Sequence, residues 1–559
     1  MKKQILTNLT ICIGVLALVT VFNNCSAGFT ASNFGNSSAQ SASTSSGGPT
    51  NIGGPVNTTP PSQYAANTYT GWPLQFIGID ISSAYPNIQY YNRFTVRGGL
   101  YPYTFKLLKA PAGMQIQTRT GEIKWTPTQN DTSANVEVEV TDSAGNTLTH
   151  AYTINVTTNG FYFVNSITGN DSNPGTLAQP FQTLNGVMAK NLPGSTILYV
   201  QAGTYPLSGS IQMSNMPGII MAYPGTRPVI DCQNLGNCFH LDGTVKNPVL
   251  FQGFEMENCS FKFFSLDGYK YSATWRNNIM HNINVTNPNN AYENPAFIFT
   301  WDYTNSPTPV YQNLIVQNNQ FYNMQNYQSD IHIAAFTWYD VSHSVVEDNV
   351  IHDINRGACF DDKDDGWYNT FRNNICYNSN PYGFDFASQY TEGQEEINNN
   401  LFIGNANDTD AIQVGMQPGY IQDVYIHNNT IINGTIDFGY PFSLANTQKF
   451  VIKNNIFYID GTVNVSSLPF YHGDPSVIGQ DGVAANNNIY WSSNSAQPMI
   501  AWGWSGSQLE FSGWQKLGYD INSSFGVKPT LSKDGTYSLS PSNPDYGVYG
   551  KDFSAGVWQ

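Results

Sequence analysis

The sequence predicts an all-β protein in which a long solenoid follows a small antiparallel sandwich. Asparagine doublets recur through the second half of the 559-residue chain. Charged residues make up only 11 % of the chain, about half the usual share, so long helices with charge-paired faces are not expected. Residues 69–157 instead alternate between apolar and polar positions, which is typical of strands with one buried face.

The doublets predict the solenoid. They are Asn277-Asn278, Asn318-Asn319, Asp348-Asn349, Asn373-Asn374, Asn399-Asn400, Asn428-Asn429, Asn454-Asn455 and Asn487-Asn488. Their second members are 25 to 41 residues apart (374 − 349 and 319 − 278), and a period in this range is typical of stacked coils. We expect every doublet to occupy the same turn of successive coils, where the side chains form a hydrogen-bonded ladder with a structural role.

Residues 69–157 are predicted to form the antiparallel sandwich. Val136–Val140 alternates strictly, and a glycine-containing turn leads into a second alternating strand at Ala151–Val156. The segment 111–156 resembles bacterial immunoglobulin-like and cadherin-like modules. The resemblance implies a spacer with Trp125 in its core, and a carbohydrate-binding role is the alternative.

The first 25 residues are predicted to be an export signal, because a basic start, Met1–Lys3, precedes a largely apolar stretch at 11–22. Cys25 lies where it resembles the cleavage site of bacterial lipoproteins, whose thiol is lipidated; ordinary secretion is the alternative. Residues 26–68 are rich in Ser, Thr, Gly and Pro and are predicted to be a flexible linker. We expect an exported protein, either an outer-membrane lipoprotein of the cell envelope or a secreted one, that contacts a membrane only through the lipid anchor.

The net charge of −16 at pH 7 bears on the partner. A chain this acidic is repelled by nucleic acid and by anionic membrane surfaces, so neither is expected to bind. A polysaccharide or cell-surface glycan is the expected partner, and an anionic one would need a bridging metal ion or a local basic patch. We expect a monomer.

Five cysteines follow the export signal. Disulfides form outside the cytoplasm. Cys232 and Cys238 flank a short loop, and Cys359 with Cys376 is a second candidate pair. Pairing cannot be derived from the sequence, and the odd number leaves one thiol free.

The third region begins with a family resemblance. Phe161–Asn165, Thr168–Thr176 and Gly194–Tyr205 resemble the opening segment of right-handed parallel β-helix proteins of the pectate-lyase superfamily. The resemblance implies that residues 160–559 form a right-handed parallel β-helix. Residues 184–192 are then expected to form a short helix over the open end of the solenoid, which would otherwise expose unpaired strand edges.

The doublets also locate the strands of each coil. For the coil that contains Asn373-Asn374, we predict one strand at 358–363, a second at 369–372 and a third at 375–378 after the doublet. Residues 538–553 resemble the closing segment of many β-helix proteins.

Stacking places the first strands of successive coils side by side, about 4.8 Å apart. The residues aligned as inward-facing are Phe360, Phe384, Ile412 and Ile436. By alternation the next residue of each strand faces solvent, which gives a column of Asp361, Asp385, Gln413 and Asp437, with Lys363 on the same face. The column is predicted to continue backwards through Thr337 and Tyr339 to Thr300 and Asp302.

This face is the candidate active site. In β-helix polysaccharide lyases, acidic residues on the corresponding face hold Ca²⁺ against the uronate of the substrate, and a Lys or Arg removes the proton α to the carboxylate. A hard cation on oxygen ligands suits this reaction because it stabilises the enolate-like charge. The resemblance therefore implies a Ca²⁺-assisted polysaccharide lyase.

The candidate residues fall into three roles. The candidate metal ligands are Asp361, Asp362, Asp364, Asp365 and Asp385. The candidate base is Lys363, with Arg356 and Arg372 as alternative bases or substrate clamps. The candidate substrate contacts are Gln413, Asp437, Trp367 and Tyr339.

Other interpretations of the same residues stay open. The charged run 361–365 could be a solvated loop or a structural cation site. An inverting glycoside hydrolase would use two carboxylates about 6.5–9.5 Å apart, such as Asp361 and Asp385. A non-catalytic glycan-binding or adhesin protein would use exposed aromatic rings, and the candidates are Trp301, Trp338, Tyr339 and Trp367.

Overall fold

The computed structural model describes residues 72–284, 295–301, 311–325, 334–363, 366–379, 382–387, 391–404, 410–414, 420–422, 424–438, 450–460, 470–472, 483–494, 497–502 and 507–531. The predicted export signal with Cys25, the linker at 26–68 and the closing segment at 538–553 lie outside these residues. Within them, no helix is both long enough and apolar enough to cross a membrane.

The first described region is a sandwich of small sheets. A four-stranded sheet contains, in spatial order, Ser83–Ala84, Thr147–Val156, Ser133–Thr141 and Thr104–Lys109. A three-stranded sheet contains Tyr90–Arg93, Glu122–Trp125 and Gln115–Ile116, and Gln75–Ile77 pairs with Thr95–Arg97. The alternating residues Val136, Val138 and Val140 are at most 1 % exposed, and Trp125 lies in the core. The period-two pattern therefore identified the buried face correctly.

From Phe161 onward the chain winds into a parallel β-helix with three sheets of twelve strands. Sheet 1 contains Phe161–Val164, Ile197–Val200, Ile219–Ala222, Val249–Gln252, Ala273–Arg276, Leu314–Gln317, Val345–Glu347, Thr370–Arg372, Glu396–Asn398, Val424–His427, Phe450–Lys453 and Val483–Asn486. Sheet 2 contains Thr204–Pro206, Val229–Asp231, Glu255–Cys259, Ile279–Asn284, Gln320–Gln325, Val350–Asn355, Ile375–Ser379, Leu401–Ile403, Thr430–Ile432, Ile456–Ile459, Ile489–Ser492 and Ser524–Phe525. Sheet 3 contains Ile211–Gln212, Asn237–Asp242, Lys262–Asp267, Ala296–Trp301, Ala334–Tyr339, Ala358–Lys363, Tyr382–Ala387, Asp410–Val414, Thr435–Phe438, Tyr471–His472, Ile500–Trp502 and Ser507–Leu509.

Each coil runs from sheet 1 through sheet 2 to sheet 3, and the last strand of sheet 3, Ser507–Leu509, pairs antiparallel with Ile500–Trp502. The strands predicted for the coil of Asn373-Asn374 agree with the structure to within one residue at each end. Two further short sheets pair Tyr311–Gln312 with Val341–Ser342 and Thr391–Gly393 with Tyr420–Gln422. The structure thus confirms the solenoid that the doublets predicted and the parallel β-helix that the resemblance implied.

A helical turn, Leu184–Met188, packs on the first coils. The Thr183 side chain caps this turn by accepting a hydrogen bond from Gly186 N at 2.8 Å. Leu184 and Val187 are buried in the core of the β-helix. The predicted capping helix is therefore present, but it is shorter than 184–192.

The second asparagine of each doublet forms the predicted ladder. Asn319 Nδ2 donates to Trp275 O at 2.9 Å and to Asn349 Oδ1 at 3.0 Å, and Asn278 N donates to Asn319 Oδ1 at 2.9 Å. The same pattern continues to Asn488, and every second asparagine is at most 2 % exposed. The ladder therefore satisfies backbone groups that the buried turn would otherwise leave unpaired.

The first member of the doublet also takes part in the predicted ladder at two places, where Asn318 Nδ2 donates to Asn277 Oδ1 at 2.8 Å and Asn373 Nδ2 donates to Asp348 Oδ1. Its backbone is left-handed, with φ of 57° at Asn277, 55° at Asn318, 59° at Asp348 and 56° at Asn373. Asn and Asp tolerate this conformation better than other side chains do. The first residue therefore turns the chain, and both residues can join neighbouring coils.

The last described coil closes over a buried carboxylate. Asp520 is 0 % exposed and accepts hydrogen bonds from Asn488 Nδ2 at 2.9 Å, Trp514 Nε1 at 2.8 Å, Tyr490 Oη at 3.0 Å and Ser523 Oγ at 2.6 Å. Trp514 belongs to the helix Phe511–Lys516. The asparagine ladder thus ends on a carboxylate that also anchors this helix.

The sandwich packs on the outer face of sheet 1 through buried arginines, and the two regions form one compact unit. Arg372 of sheet 1 is 2 % exposed and donates to Glu347 Oε2 at 2.7 Å, to Tyr103 Oη at 2.8 Å and to Val96 O at 2.6 Å. Arg93 of the sandwich forms ion pairs with Asp348 and Glu347. The sandwich is therefore fixed to the β-helix by these charged contacts and by apolar contacts with side chains of sheet 1 such as Phe161 and Tyr199.

Both candidate cysteine pairs form disulfides. One joins Cys232 to Cys238, and the other joins Cys359 of sheet 3 to Cys376 of sheet 2. Cys259 is the remaining thiol beyond the export signal, and burial raises its pKa to about 12. A buried thiol of this kind is chemically inert.

Candidate active site

The predicted column exists on the face of sheet 3 opposite the core. Phe360, Phe384, Ile412 and Ile436 pair in register, and all four lie in the hydrophobic core. The next residues also pair in register, in the order Asp361, Asp385, Gln413 and Asp437. Since successive strand residues point to opposite faces, the three carboxylates and the amide share the outer face.

The predicted column was wrong by one residue at its N-terminal end. Thr337 pairs with Asp361 as predicted, but its partner on the preceding strand is Phe299, not Thr300. The Thr300 hydroxyl instead donates to Tyr339 O at 3.0 Å. Coil length varies in this region, and a change of one residue reverses the face. Asp302 lies outside the described residues.

The outer face of sheet 3 is buried at this point. We predicted a solvent-exposed column, but Asp361 and Asp385 are each 1 % exposed, Gln413 is 5 % exposed and Asp437 is 8 % exposed. Carboxylates are rarely buried this deeply without hydrogen bonds, a counter-ion or a bound cation. The column is therefore a shielded set of polar groups.

Lys363 lies two residues beyond Asp361 on the same face, as predicted. It is 7 % exposed and pairs in register with Tyr339 of the preceding coil. Its Nζ lies 5.6 Å from the centroid of the Tyr339 ring, which is 5.0 Å from the ring of Trp301. The lysine therefore shares a strand face with Asp361 and packs near the Tyr339 ring, which contacts Trp301 in turn.

Asp362 is not on this face, although we predicted it as a metal ligand. It pairs in register with Trp338 and Phe386, which belong to the core. Asn369 Nδ2 donates to Asp362 Oδ2 at 3.1 Å. The alternation that brings Asp361 and Lys363 to the outer face sends Asp362 inward, so it cannot bind the same cation.

Glu395 was not among the predicted site residues, and it lies near Asp362 inside the β-helix, where Asn369 Nδ2 donates to both carboxylates. It is 0 % exposed and lies within 3.5 Å of Asn369 N, which donates to its Oε1. Burial, followed by the charge of Asp362, raises the pKa of Glu395 well above its ordinary value. Ser344, Asn369 and Glu395 each precede a strand of sheet 1. They form a second hydrogen-bonded ladder, in which Ser344 N donates to Asn369 Oδ1 and Asn369 N donates to Glu395 Oε1. Their shared position before a strand could have revealed this ladder in the sequence.

The remaining candidates lie away from Lys363 or outside the described residues. Arg372, predicted as an alternative base or substrate clamp, is buried in the interface with the sandwich, where it contacts Tyr103 and Val96. Arg356 is exposed at the turn that precedes Ala358–Lys363, at the opposite end of that strand from Lys363. Trp367 lies between sheets 3 and 1, where its backbone pairs with Ser342 and Gly393. Asp364 and Asp365 are not described.

The outer column offers oxygen donors from three successive strands, those of Asp361, Asp385 and Gln413. Gln413 Nε2 donates to Asp437 Oδ2 at 3.3 Å. Its amide oxygen is buried and accepts no hydrogen bond within the described part of the chain. Carboxylate and amide oxygens are the donors that Ca²⁺ prefers. The donor set therefore fits a hard cation.

A second concave surface lies between the sandwich and the β-helix. This interdomain groove has a volume of about 740 Å³, and its lining includes Tyr91, Lys124, Arg227, Asn277 and Gln320. Its polar lining combines residues of the sandwich with residues near the first asparagine doublets. Domain boundaries are frequent positions for ligand sites.

Comparison with protein families supports the sandwich. Residues 55–157 match the family model He_PIG, described as "Putative Ig domain". No curated protein sequence matches the chain.

Several solved structures resemble the chain in fold. The Yersinia enterocolitica family 28 exopolygalacturonase is 10 % identical over 82 % of this chain and 99 % of that chain, with a TM-score of 0.39. The catalytic domain of a GH87 α-1,3-glucanase is 12 % identical over 79 % and 85 %, with a TM-score of 0.31. The Eubacterium ramulus GH136 lacto-N-biosidase is 12 % identical over 59 % and 67 %, with a TM-score of 0.30. These TM-scores are all below 0.5, and the activities of these proteins are not transferred to this chain.

Proposed function

We propose that the protein is an exported, carbohydrate-active enzyme that cleaves a uronate-containing polysaccharide by β-elimination, assisted by Ca²⁺. One observation carries the proposal: Asp361, Asp385 and Gln413 lie in register on the face that also bears Lys363. Two carboxylates, an amide and an amine are the groups that this reaction needs. Their burial also favours it, because electrostatic interactions are stronger where water is excluded.

Lys363 is the proposed base. Its Nζ takes the proton from C5 of the uronate, the C4–O bond to the leaving sugar breaks, and a C4–C5 double bond forms. Asp361, Asp385 and the amide oxygen of Gln413 would hold Ca²⁺, which when bound would neutralise the substrate carboxylate and the charge that develops as the proton leaves. The leaving oxygen receives a proton from solvent.

Aromatic side chains border the proposed site. The rings of Tyr339 and Trp301 lie beside Lys363, and such rings can pack against sugar rings. Asp437 holds the Gln413 amide and could also accept a hydrogen bond from a sugar hydroxyl. The candidate substrate contacts are therefore Tyr339, Trp301 and Asp437.

Location follows from the predicted N-terminal segments. The export signal would carry the chain out of the cytoplasm, and lipidation of Cys25 would anchor it in the envelope. The linker at 26–68 would then hold the enzyme away from the membrane. We propose that it acts there as a monomer.

An inverting glycoside hydrolase is the second candidate, because Asp385 and Asp437 lie two strands apart in the same column. Two strand spacings are about 9.6 Å, near the separation of about 6.5–9.5 Å that leaves room for the attacking water. In that case one carboxyl group would protonate the leaving oxygen and the other would activate water.

A non-catalytic glycan-binding protein is the third candidate, favoured by the interdomain groove of about 740 Å³. Of the aromatic residues predicted for this role, Trp338 is excluded because it is buried in the core.

Product analysis separates the three candidates. The purified protein is incubated with pectate, alginate and glycosaminoglycans, each with Ca²⁺ and with chelator. If an unsaturated uronate, detected by its ultraviolet absorbance, forms with Ca²⁺ and not with chelator, the lyase is supported. New reducing ends without that absorbance indicate the hydrolase, and binding without either product indicates the glycan-binding protein.

Lys363→Met tests the proposed base. We expect a loss of about 10²–10⁴-fold in kcat with an unchanged unfolding midpoint, since removal of a general base costs about this much. Lys106→Met, at a lysine whose side chain is 63 % exposed in the sandwich, is the matched control and should retain full activity. Full activity of Lys363→Met would refute this mechanism.

A further inference from the structure

Sheet 2 carries a stack of ring side chains on its outer face. His281, Tyr322, His352 and Tyr377 occupy the same register position on four successive strands. Their ring centroids are 4.8, 5.0 and 4.8 Å apart, and the rings are within 10° of parallel. The proposed reaction on sheet 3 uses none of these residues.

Two glutamates meet the first ring of this stack. Glu257 is the register partner of His281, and Glu255 precedes it by two residues on the same face of the strand. His281 Nε2 lies 3.2 Å from Glu255 Oε1, and one ligand atom from each of the three residues lies within 4.8 Å of the other two.

We propose that Glu255, Glu257 and His281 form a binding site for Zn²⁺. Imidazole nitrogen with carboxylate oxygen is a donor set that Zn²⁺ accepts readily. Zinc bonds of about 2.0–2.1 Å give a tetrahedron with edges of about 3.3 Å. The 3.2 Å separation between His281 Nε2 and Glu255 Oε1 already matches such an edge.

The surroundings prepare the site. His281 is 7 % exposed, and its stacking on Tyr322 fixes the plane of the imidazole.

Glu257 supplies an observation independent of the His281–Glu255 contact. The Glu257 side chain lies beside the imidazole and is only partly exposed, and it makes no hydrogen bond or ion pair within the described part of the chain. A carboxylate in this position is available to a cation. Three protein ligands leave the fourth tetrahedral position to water or to a group from a ligand, as in other three-ligand zinc sites.

His352 provides a matched control within the same stack. It lies two strands from His281, but its Nε2 contacts Gln320 Nε2 at 3.1 Å and its Nδ1 contacts Asp353 at 2.8 Å. It is not part of a group of three ligands in the described residues. Replacing His352 therefore removes an equivalent ring without removing a proposed ligand.

To test the site, the full exported protein is treated with chelator and then titrated with Zn²⁺. Excess Ca²⁺ is present throughout, so that sites made only of oxygen ligands are already occupied. Calorimetry measures affinity, and Co²⁺ in place of Zn²⁺ reports the ligands through its visible spectrum. We expect one equivalent to bind, at least about tenfold more weakly in Glu257→Gln and His281→Gln, and with unchanged affinity in His352→Gln. Glu257→Gln alters a partly exposed side chain, so its result does not depend on refolding of the stack.

Three outcomes would overturn the zinc site. The first is that the unaltered protein does not bind Zn²⁺. The second is that Glu257→Gln and His281→Gln bind Zn²⁺ as tightly as the unaltered protein does. The third is that Asp361→Asn loses binding while Glu257→Gln keeps it. None of these bears on the lyase proposal, whose readout is the unsaturated product.

Discussion

At the scale of single residues, each doublet uses two unrelated properties of asparagine. The first residue adopts a left-handed backbone, as at Asn373 with φ of 56°. The second, such as Asn374, presents an amide that both donates and accepts in the interior. Gln could supply the amide but on a longer side chain, and Gly could supply the left-handed turn without an amide. The repeated pair of residues follows from these two requirements.

Asn374→Ala tests the ladder. The substitution removes the donor to Val346 O at 2.9 Å and the acceptor for Asn349 N at 3.1 Å, and both backbone groups are buried. We expect the free energy of unfolding to fall by about 2–4 kcal/mol, measured by urea denaturation. Asn318→Gly, at a left-handed first member, should change it by less than about 1 kcal/mol. Equal losses in the two variants would contradict the division of roles.

Asp520 makes a pH-dependent contribution to stability. Burial raises its pKa above the ordinary value, although four hydrogen bonds oppose the shift. A raised pKa in the folded state means that the native protein binds the proton more tightly than the unfolded chain does. The contribution is therefore complete below the ordinary carboxyl pKa, near pH 4, and is lost as the pH rises through the raised value.

Glu395 also has a raised pKa and also makes stability depend on pH. Asp520→Asn removes the pH-dependent contribution of Asp520 and leaves that of Glu395 in place. The variant should be less stable at every pH, by about 1–3 kcal/mol, because an amide group cannot accept all four hydrogen bonds. Its unfolding midpoint should also decline less than that of the unaltered protein as the pH rises from 4. Parallel pH profiles of the two proteins would show that Asp520 does not titrate as described.

At the scale of elements, strand alternation decides which groups can react together. In Ala358–Lys363, the residues Asp361 and Lys363 share the outer face, while Asp362 points inward to Asn369. The three described charged positions of this run, 361 to 363, are thus divided between two environments. The same alternation holds across strands because pairing remains in register from Asp361 to Asp437, even where the connecting segments differ in length.

The disulfide between Cys359 and Cys376 joins strands of two successive coils over 17 residues. Replacing both cysteines by alanine should lower the free energy of unfolding by about 3 kcal/mol, since the bond restricts the unfolded chain. The Cys232–Cys238 bond spans only 6 residues, so its removal should cost about 2 kcal/mol. Denaturation under non-reducing conditions compares the variants, and a larger loss from the shorter loop would contradict this order.

At the scale of the molecule, the sandwich and the β-helix share a buried charged interface. Arg372 and Arg93 cross it in opposite directions and meet the same carboxylate, Glu347. Removing one partner from such a network leaves a charge buried without compensation, which is costly. We therefore expect the two regions to unfold together.

Arg372→Ala tests this coupling. It should lower the free energy of unfolding by about 3–5 kcal/mol and divide the calorimetric transition into two. Lys106→Ala is the control, because Lys106 pairs with Glu139 at the surface, where such pairs contribute about 0–1 kcal/mol. A single unshifted transition in Arg372→Ala would mean that apolar contacts alone hold the interface.

The doublets and the period-two runs of the sequence by themselves determined the sandwich, the solenoid, the strands of a coil and the column from Asp361 to Asp437, because each depends on local periodicity, and a family resemblance in the sequence identified the solenoid as a parallel β-helix. Only the tertiary structure decided that this column is buried, that Asp362 faces Glu395, that Arg372 belongs to the interface and that His281 meets two glutamates. Those relations join residues on different coils or in different regions, and coil length varies from one turn to the next. Periodicity specifies the face of a strand, whereas contact between distant residues depends on how the coils and the sandwich pack.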